Sequence, residues 1–111
     1  MANNFKNNVL KAAGTAAQNA YAAASGVQAT VIGMTIANIT QTPISANVFL
    51  TCSGAAAPNV YLVREATIAP GGALVPIGGD QKLVLEAGDY LQVNTSVASS
   101  GDVITSVLEI T

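Results

Sequence analysis

Histidine and tryptophan are absent from this 111-residue chain, cysteine occurs once, and only 9% of the residues are charged. Without histidine there is no Ser-His-Asp or Cys-His arrangement for nucleophilic catalysis, and zinc loses its commonest ligand. The single cysteine, Cys52, excludes an internal disulfide. It falls at an apolar position of an alternating stretch and reads as a small core residue rather than a nucleophile. Lys6 and Lys11 lie near the start, and only Arg64 and Lys82 follow, against six carboxylates. No basic patch results, so sequence-independent nucleic-acid binding lacks its electrostatic driving force. No run approaches the roughly 18 consecutive apolar residues of a membrane span. Lys11, Gly14, Gln18 and Asn19 interrupt the only stretch that resembles a signal peptide. The expectation is a soluble protein made in the cytoplasm, with neither membrane nor nucleic acid as a partner.

What is present is apolar and small. Half of the chain is hydrophobic but only 5% is aromatic, so Ala and Val, with some Ile and Leu, carry most of that content. The charged fraction is far below the roughly 25% of an ordinary soluble domain. Surfaces that bland tend to associate, which predicts a subunit that buries its flanks against neighbours. The competing reading is a monomer coated in Ser, Thr, Asn and Gln.

The chain divides into residues 1–14, read as an N-terminal arm, and residues 15–111, read as one β-sandwich domain. In the first segment Asn3, Asn4, Asn7 and Asn8 surround Phe5. Phe5, Val9 and Ala13 fit one face of a short helical turn, but Asn is a poor helix former, and an extended arm that orders only against a partner is preferred. The Ala-rich stretch 16–24 is read as a strand that ends at the Ser25-Gly26 turn signal. Residues 27–39 form a clear strand rich in β-branched side chains, with Gly33 marking a bulge or close backbone approach. Further strands are expected at 44–52, 60–66, 73–77 (an edge strand or bulge, because it contains Pro76) and 102–111. Residues 53–58 read as a small-residue loop.

Residues 78–95 read as the organising hairpin. Leu83 and Leu85 alternate with Lys82, Val84 and Glu86, as Leu91 and Val93 do with Tyr90, Gln92 and Asn94, and Glu86-Ala87-Gly88-Asp89 forms a tight turn between the two runs. About eight short strands at roughly ten-residue spacing indicate an all-β antiparallel sandwich, with a jelly roll as the favoured topology.

Candidate sites are few. Asp80, Glu86 and Asp89 cluster in sequence, as the carboxylate pair of a glycosidase or the ligands of a calcium loop could. Asp80 and Asp89 sit in turns, where acids satisfy backbone donors, and the spacing fits no known calcium loop. Gly71-Gly72 and Gly78-Gly79 flank an edge strand and begin no helix, so neither is a phosphate cradle. Tyr21, Tyr61 and Tyr90 are dispersed and define no platform. Arg64 and Glu65, adjacent on a strand, point to opposite faces; Arg64 either bridges to a neighbouring subunit or is solvated. No catalytic, cofactor-binding or metal-ligating set is expected.

Five stretches together resemble a known family: residues 29–40 (Ala-Thr-Val-Ile-Gly-Met-Thr-Ile-Ala-Asn-Ile-Thr), 60–63 (Val-Tyr-Leu-Val), 68–74 (Ile-Ala-Pro-Gly-Gly-Ala-Leu), 78–89 and the closing 107–111 (Val-Leu-Glu-Ile-Thr). They look like the small virion proteins of tailed bacteriophages, frequent in phages of cyanobacteria and marine bacteria. The resemblance runs from Phe5 to the last residue and departs at 16–24, which is Ala-rich where Thr and Val are expected. It contains no catalytic motif, and so implies a structural part of the virion and not an activity; with the bland surface, the expectation is a subunit that self-associates, as a trimer. A decoration (cement) protein contacting the major capsid protein is the leading expectation. A neck or tail accessory that attaches fibres, and a host-surface carbohydrate-binding module, are the alternatives.

Overall fold

The computed structural model describes residues 3–51, 60–78 and 82–111. Nine strands cover most of them: β1 (Asn3–Ala13), β2 (Gln18–Ala22), β3 (Gln28–Asn38), β4 (Ile44–Thr51), β5 (Val60–Ile68), β6 (Ala73–Ile77), β7 (Leu83–Leu85), β8 (Tyr90–Thr95) and β9 (Gly101–Ile110). No helix occurs among the described residues. Every pairing is antiparallel.

The first sheet has the order β1-β9-β3-β6, and β7 also pairs with β3; the second has the order β2-β8-β4-β5. β6 lies against Met34–Ala37 and β7 against Ala29–Val31. The two therefore occupy one interrupted edge position, and the nine strands fill eight places. Interleaved orders of this kind, with β4-β5 paired directly within one sheet, are those of a jelly roll. Pro76 sits in the edge strand β6, where a missing N–H costs no ladder bond. Gly33 marks a bulge, since the β3-β9 register shifts between Val31 and Gly33.

Alternation fills the space between the sheets. Val31, Met34, Ile36, Val103 and Val107 enter it from the first sheet, and Val48, Leu91 and Val93 from the second. Gln92 and Asn94 point the other way, as the period of two requires. Ala20, Ala23, Ala29 and Ala46 are also buried; their small side chains set how closely the layers approach. Buried polar groups are mostly satisfied. The Asn38 amide donates to the carbonyls of Thr42 (2.8 Å), Ile68 (3.1 Å) and Ala69 (3.2 Å), and its oxygen accepts from the Thr40 N–H at 2.9 Å. The Thr95 and Ser100 hydroxyls bond each other at 2.7 Å. Thr105 Oγ1 is buried without a hydrogen-bond partner.

Two expectations are corrected. Residues 78–95 are not a hairpin: β7 pairs with β3 in the first sheet, while β8 lies between β2 and β4 in the second. The turn itself forms, with Gly88 at φ 89°. The Asp89 N–H donates to the Glu86 carbonyl at 2.9 Å, and the Asp89 carboxylate accepts from the Glu86 N–H at 3.0 Å. It carries the chain from one sheet to the other. Local alternation fixes which face a strand buries, not which strand it pairs with, so a jelly-roll corner and a hairpin look alike in sequence.

The second correction concerns the N-terminal segment, which is strand β1 and not an arm ordered only by a partner. It pairs with the chain's own β9 from Asn3↔Ile110 to Ala13↔Gly101. β9 is paired on its other side with β3, and β1 satisfies the edge left open. Its core contribution is small, Ala13 being buried and Leu10 partly so. The edge strands β1 and β5 carry bulges. Ala12 (φ 55°) and Glu65 (φ 53°) adopt left-handed backbone. The N–H of each is held at 2.9 and 2.8 Å by the side chain of the residue opposite, Asp102 and Asn47 respectively.

Candidate functional site

Three surfaces stand out: the outer face of each sheet and the seam between β1 and β2. On the first sheet, burial of Val103, Thr105 and Val107 turns Ile104, Ser106 and Leu108 outward. The register sets these beside Val9, Asn7 and Phe5 of β1. Thr30 and Thr35 of β3 lie on their other side, and Thr30 faces Val84 of β7. Phe5, Val84, Val9 and Ile104 are 77%, 63%, 62% and 53% exposed. Among the described strand positions facing outward here, none is ionisable until the face ends at the Lys11–Asp102 ion pair, 3.1 Å long. A hollow of about 370 Å³ lies in this face, lined by Phe5, Lys6, Asn7, Ile32, Ser106 and Val107. Its floor is low where Ser106 pairs with Gly33.

The outer face of the second sheet is built differently. Asn19, Gln92, Phe49 and Tyr61 form one row across its four strands. Gln92 donates to Asn19 at 3.1 Å, and in the next row Asn47 donates to Asn94 at 3.0 Å. Asn94 in turn donates to the Thr15 carbonyl at 3.3 Å. Phe49 is buried against Tyr61, their ring centroids 5.3 Å apart and the planes inclined by 46°. The Arg64 guanidinium lies 5.6 Å from the Tyr61 centroid, so Arg64 finds a ring face within its own strand.

The seam is polar and internally paired. The Tyr21 hydroxyl donates to Glu109, and Lys6 lies 3.4 Å from the other Glu109 oxygen. Burial, then the hydrogen bond to Glu109, pushes the Tyr21 hydroxyl up out of the ordinary range. The Tyr21 hydrogen bond, followed by Lys6, holds the Glu109 carboxyl below its usual value. Asn8 donates to the Ala20 carbonyl across the same seam. A cleft of about 410 Å³ opens here, with Asn19 and Ala22 among its walls. These contacts tie β1 and β9 to β2, closing one open side of the sandwich.

The residues singled out in the sequence do not converge. Asp80 and Gly79, Cys52 and the 53–58 loop lie outside the described residues. Asp89 is buried in its turn while Glu86 is exposed. Among the described residues no three of His, Cys, Asp and Glu come together to hold a metal. Gly71 (φ 72°) serves the Ala69–Gly72 turn, closed by a 2.9 Å bond from the Gly72 N–H to the Ala69 carbonyl. The tyrosines are less dispersed than their spacing suggests. Tyr61 and Tyr90 share the outer face of the second sheet with Phe49, while Tyr21 belongs to the seam. The outer face of the first sheet was missed, although β9 carries the signal: both of its alternating sets, Val103-Thr105-Val107 and Ile104-Ser106-Leu108, are apolar or small.

Comparison with protein-family models, curated proteins and solved structures finds no match to the chain.

Proposed function

We propose that this chain is a non-enzymatic structural subunit of a tailed-phage virion, a capsid decoration protein that stabilises the head through contacts with its own copies and with the major capsid protein. The observation that carries this reading is the outer face of the first sheet, where four large apolar side chains stand exposed with no charge among them. Apolar surface in water favours association, and a contiguous patch of it marks a contact surface. The virion setting is supported by the resemblance of residues 29–40, 60–63, 68–74, 78–89 and 107–111 to small phage structural proteins. The test compares heads assembled with and without the protein. Heads carrying it are expected to retain their DNA at a temperature that empties bare heads. Binding to isolated necks or tails but not to heads replaces decoration with the accessory role, and binding to neither overturns the virion assignment.

The outer face of the second sheet favours a second reading, attachment to a host-surface glycan. Tyr61 is 47% exposed, with Tyr90 on the same face, the amides of Asn19 and Gln92 in its own row and that of Asn94 in the next. An aromatic ring offers a flat apolar platform, and amides both donate and accept hydrogen bonds. Retention on immobilised host polysaccharide that Tyr61→Ala abolishes supports this reading; no retention of the native chain removes it.

A further inference from the structure

The outer face of the first sheet has a shape and a charge pattern that together identify its occupant. In a two-fold contact the same patch lies on both sides, so charges on the patch are brought against charges of the same set. Like charges brought together across an interface are costly. A patch whose outward strand positions carry no charge escapes most of that cost. This one is bounded by Lys11 and Asp102, which already pair within the chain, and Lys6, which lines the hollow, is paired with Glu109 at 3.4 Å. The outer face of the second sheet, with Arg64 and Glu65 at its bulge, lacks this property.

Shape points the same way. Phe5, the most exposed large apolar side chain described, projects beside the hollow of about 370 Å³ floored by Asn7, Ile32 and Ser106. Knob and hollow are adjacent on one face, so two copies laid face to face can each place the ring in the other's hollow. The area is adequate as well. Three strands about 4.8 Å apart, rising about 3.3 Å per residue over about nine residues, with the edge place that the five-residue β6 and the three-residue β7 share, give roughly 550 Å² per copy and roughly 1,100 Å² in all, which clears the roughly 1,000 Å² of a specific interface.

We infer that the outer face of the β1-β9-β3-β7 sheet is the contact between two copies of this chain, packed about a two-fold axis, with Phe5 of each copy seated in the other's hollow beside Ser106. The inference rests on the reading of the chain as a self-associating subunit. It specifies two copies or a multiple of two, in place of the trimer expected from the sequence.

The experiment is sedimentation of the full chain over the micromolar range, for the native protein, Phe5→Asp and Ser106→Trp, with thermal unfolding of each. Both positions are exposed, so the variants are expected to fold. The native chain is expected to sediment at twice 11.1 kDa, and both variants as single copies, their association weakened at least tenfold. A native pair that survives both substitutions overturns this face and leaves self-association standing. A pair broken by Phe5→Asp but retained in Ser106→Trp overturns the seating of the ring. A native trimer overturns the two-fold axis. A native chain that stays at 11.1 kDa throughout overturns the self-association reading together with the inference.

Discussion

The two sheets differ more on their outer faces than on their inner ones. Inside, both contribute aliphatic side chains of similar kind: Val31, Ile36 and Val107 from one, Val48, Leu91 and Val93 from the other. Outside, the second sheet is laced by amide pairs and has an aromatic row partly covered by Arg64. The first exposes Phe5, Val9, Ile104 and Val84 with nothing polar spanning them but Asn7, Ser106 and threonines. A jelly roll demands only that the inner faces be apolar. The apolar outer face is therefore not required by the fold, and contact between copies is the role proposed for it.

The largest expected effect sets the scale of the inner face. Leu91→Ala removes buried methyl groups between the sheets and should cost about 2–5 kcal/mol. Gln92→Ala, one residue on and outward, should cost no more than about 0.5 kcal/mol. Denaturant midpoints decide, and a reversed order breaks the assignment of inner and outer faces on the second sheet.

Next in size is Asn47→Ala. Asn47 accepts the N–H of left-handed Glu65 and donates to Asn94, so its loss should cost about 1–2 kcal/mol. That figure tests whether the amides of the second face stabilise the sheet itself. A cost near zero would leave them available for a ligand alone.

Thr105→Val should act in the opposite direction. The hydroxyl is buried without a partner, and an apolar group of the same shape should stabilise by about 1 kcal/mol, raising the thermal midpoint by about 4 °C. An unchanged or lowered midpoint means that the hydroxyl has a partner in solution.

Acid titration gives a smaller and broader effect, carried by two carboxylates of β9 in the first sheet. Asp102 is held low by the Ala12 N–H and then by Lys11; Glu109 is held low by Tyr21 and then by Lys6. Folded values below unfolded ones mean that each contribution is present above about pH 4 and is lost as pH falls through the lowered folded value. Glu109→Gln and Asp102→Asn should therefore flatten the stability curve below about pH 5. Equal slopes in the native and substituted chains would show that these bonds do not persist in solution.

Much of this was legible in the sequence wherever burial on one face imposes a period. Leu91 and Val93 announce themselves by alternation, Gly33 marks its bulge, and Pro76 marks an edge. Pairing was less legible, because β7 and β8 are each short and locally identical to the arms of a hairpin; their separation into different sheets is decided by β3, β2 and β4 far away in the chain. The role of residues 3–13 was hidden for a related reason. Their side chains are mostly exposed, and what orders them is the open backbone edge of β9, which side-chain pattern does not report. The Asn38 cluster was equally silent, since an asparagine at a strand end has no signature that distinguishes a buried latch from a solvated turn.

The difference between the two outer faces can be tested by one pair of substitutions measured together. Ile104→Lys places a charge on β9, between β1 and β3 on the first outer face, and Gln92→Lys places the same charge on the second. Sedimentation equilibrium of both against the native chain should show Ile104→Lys as a single 11.1 kDa species and Gln92→Lys unchanged from the native assembly. An assembly that tolerates lysine at position 104 but dissociates with lysine at position 92 would contradict the assignment and move the contact to the second sheet.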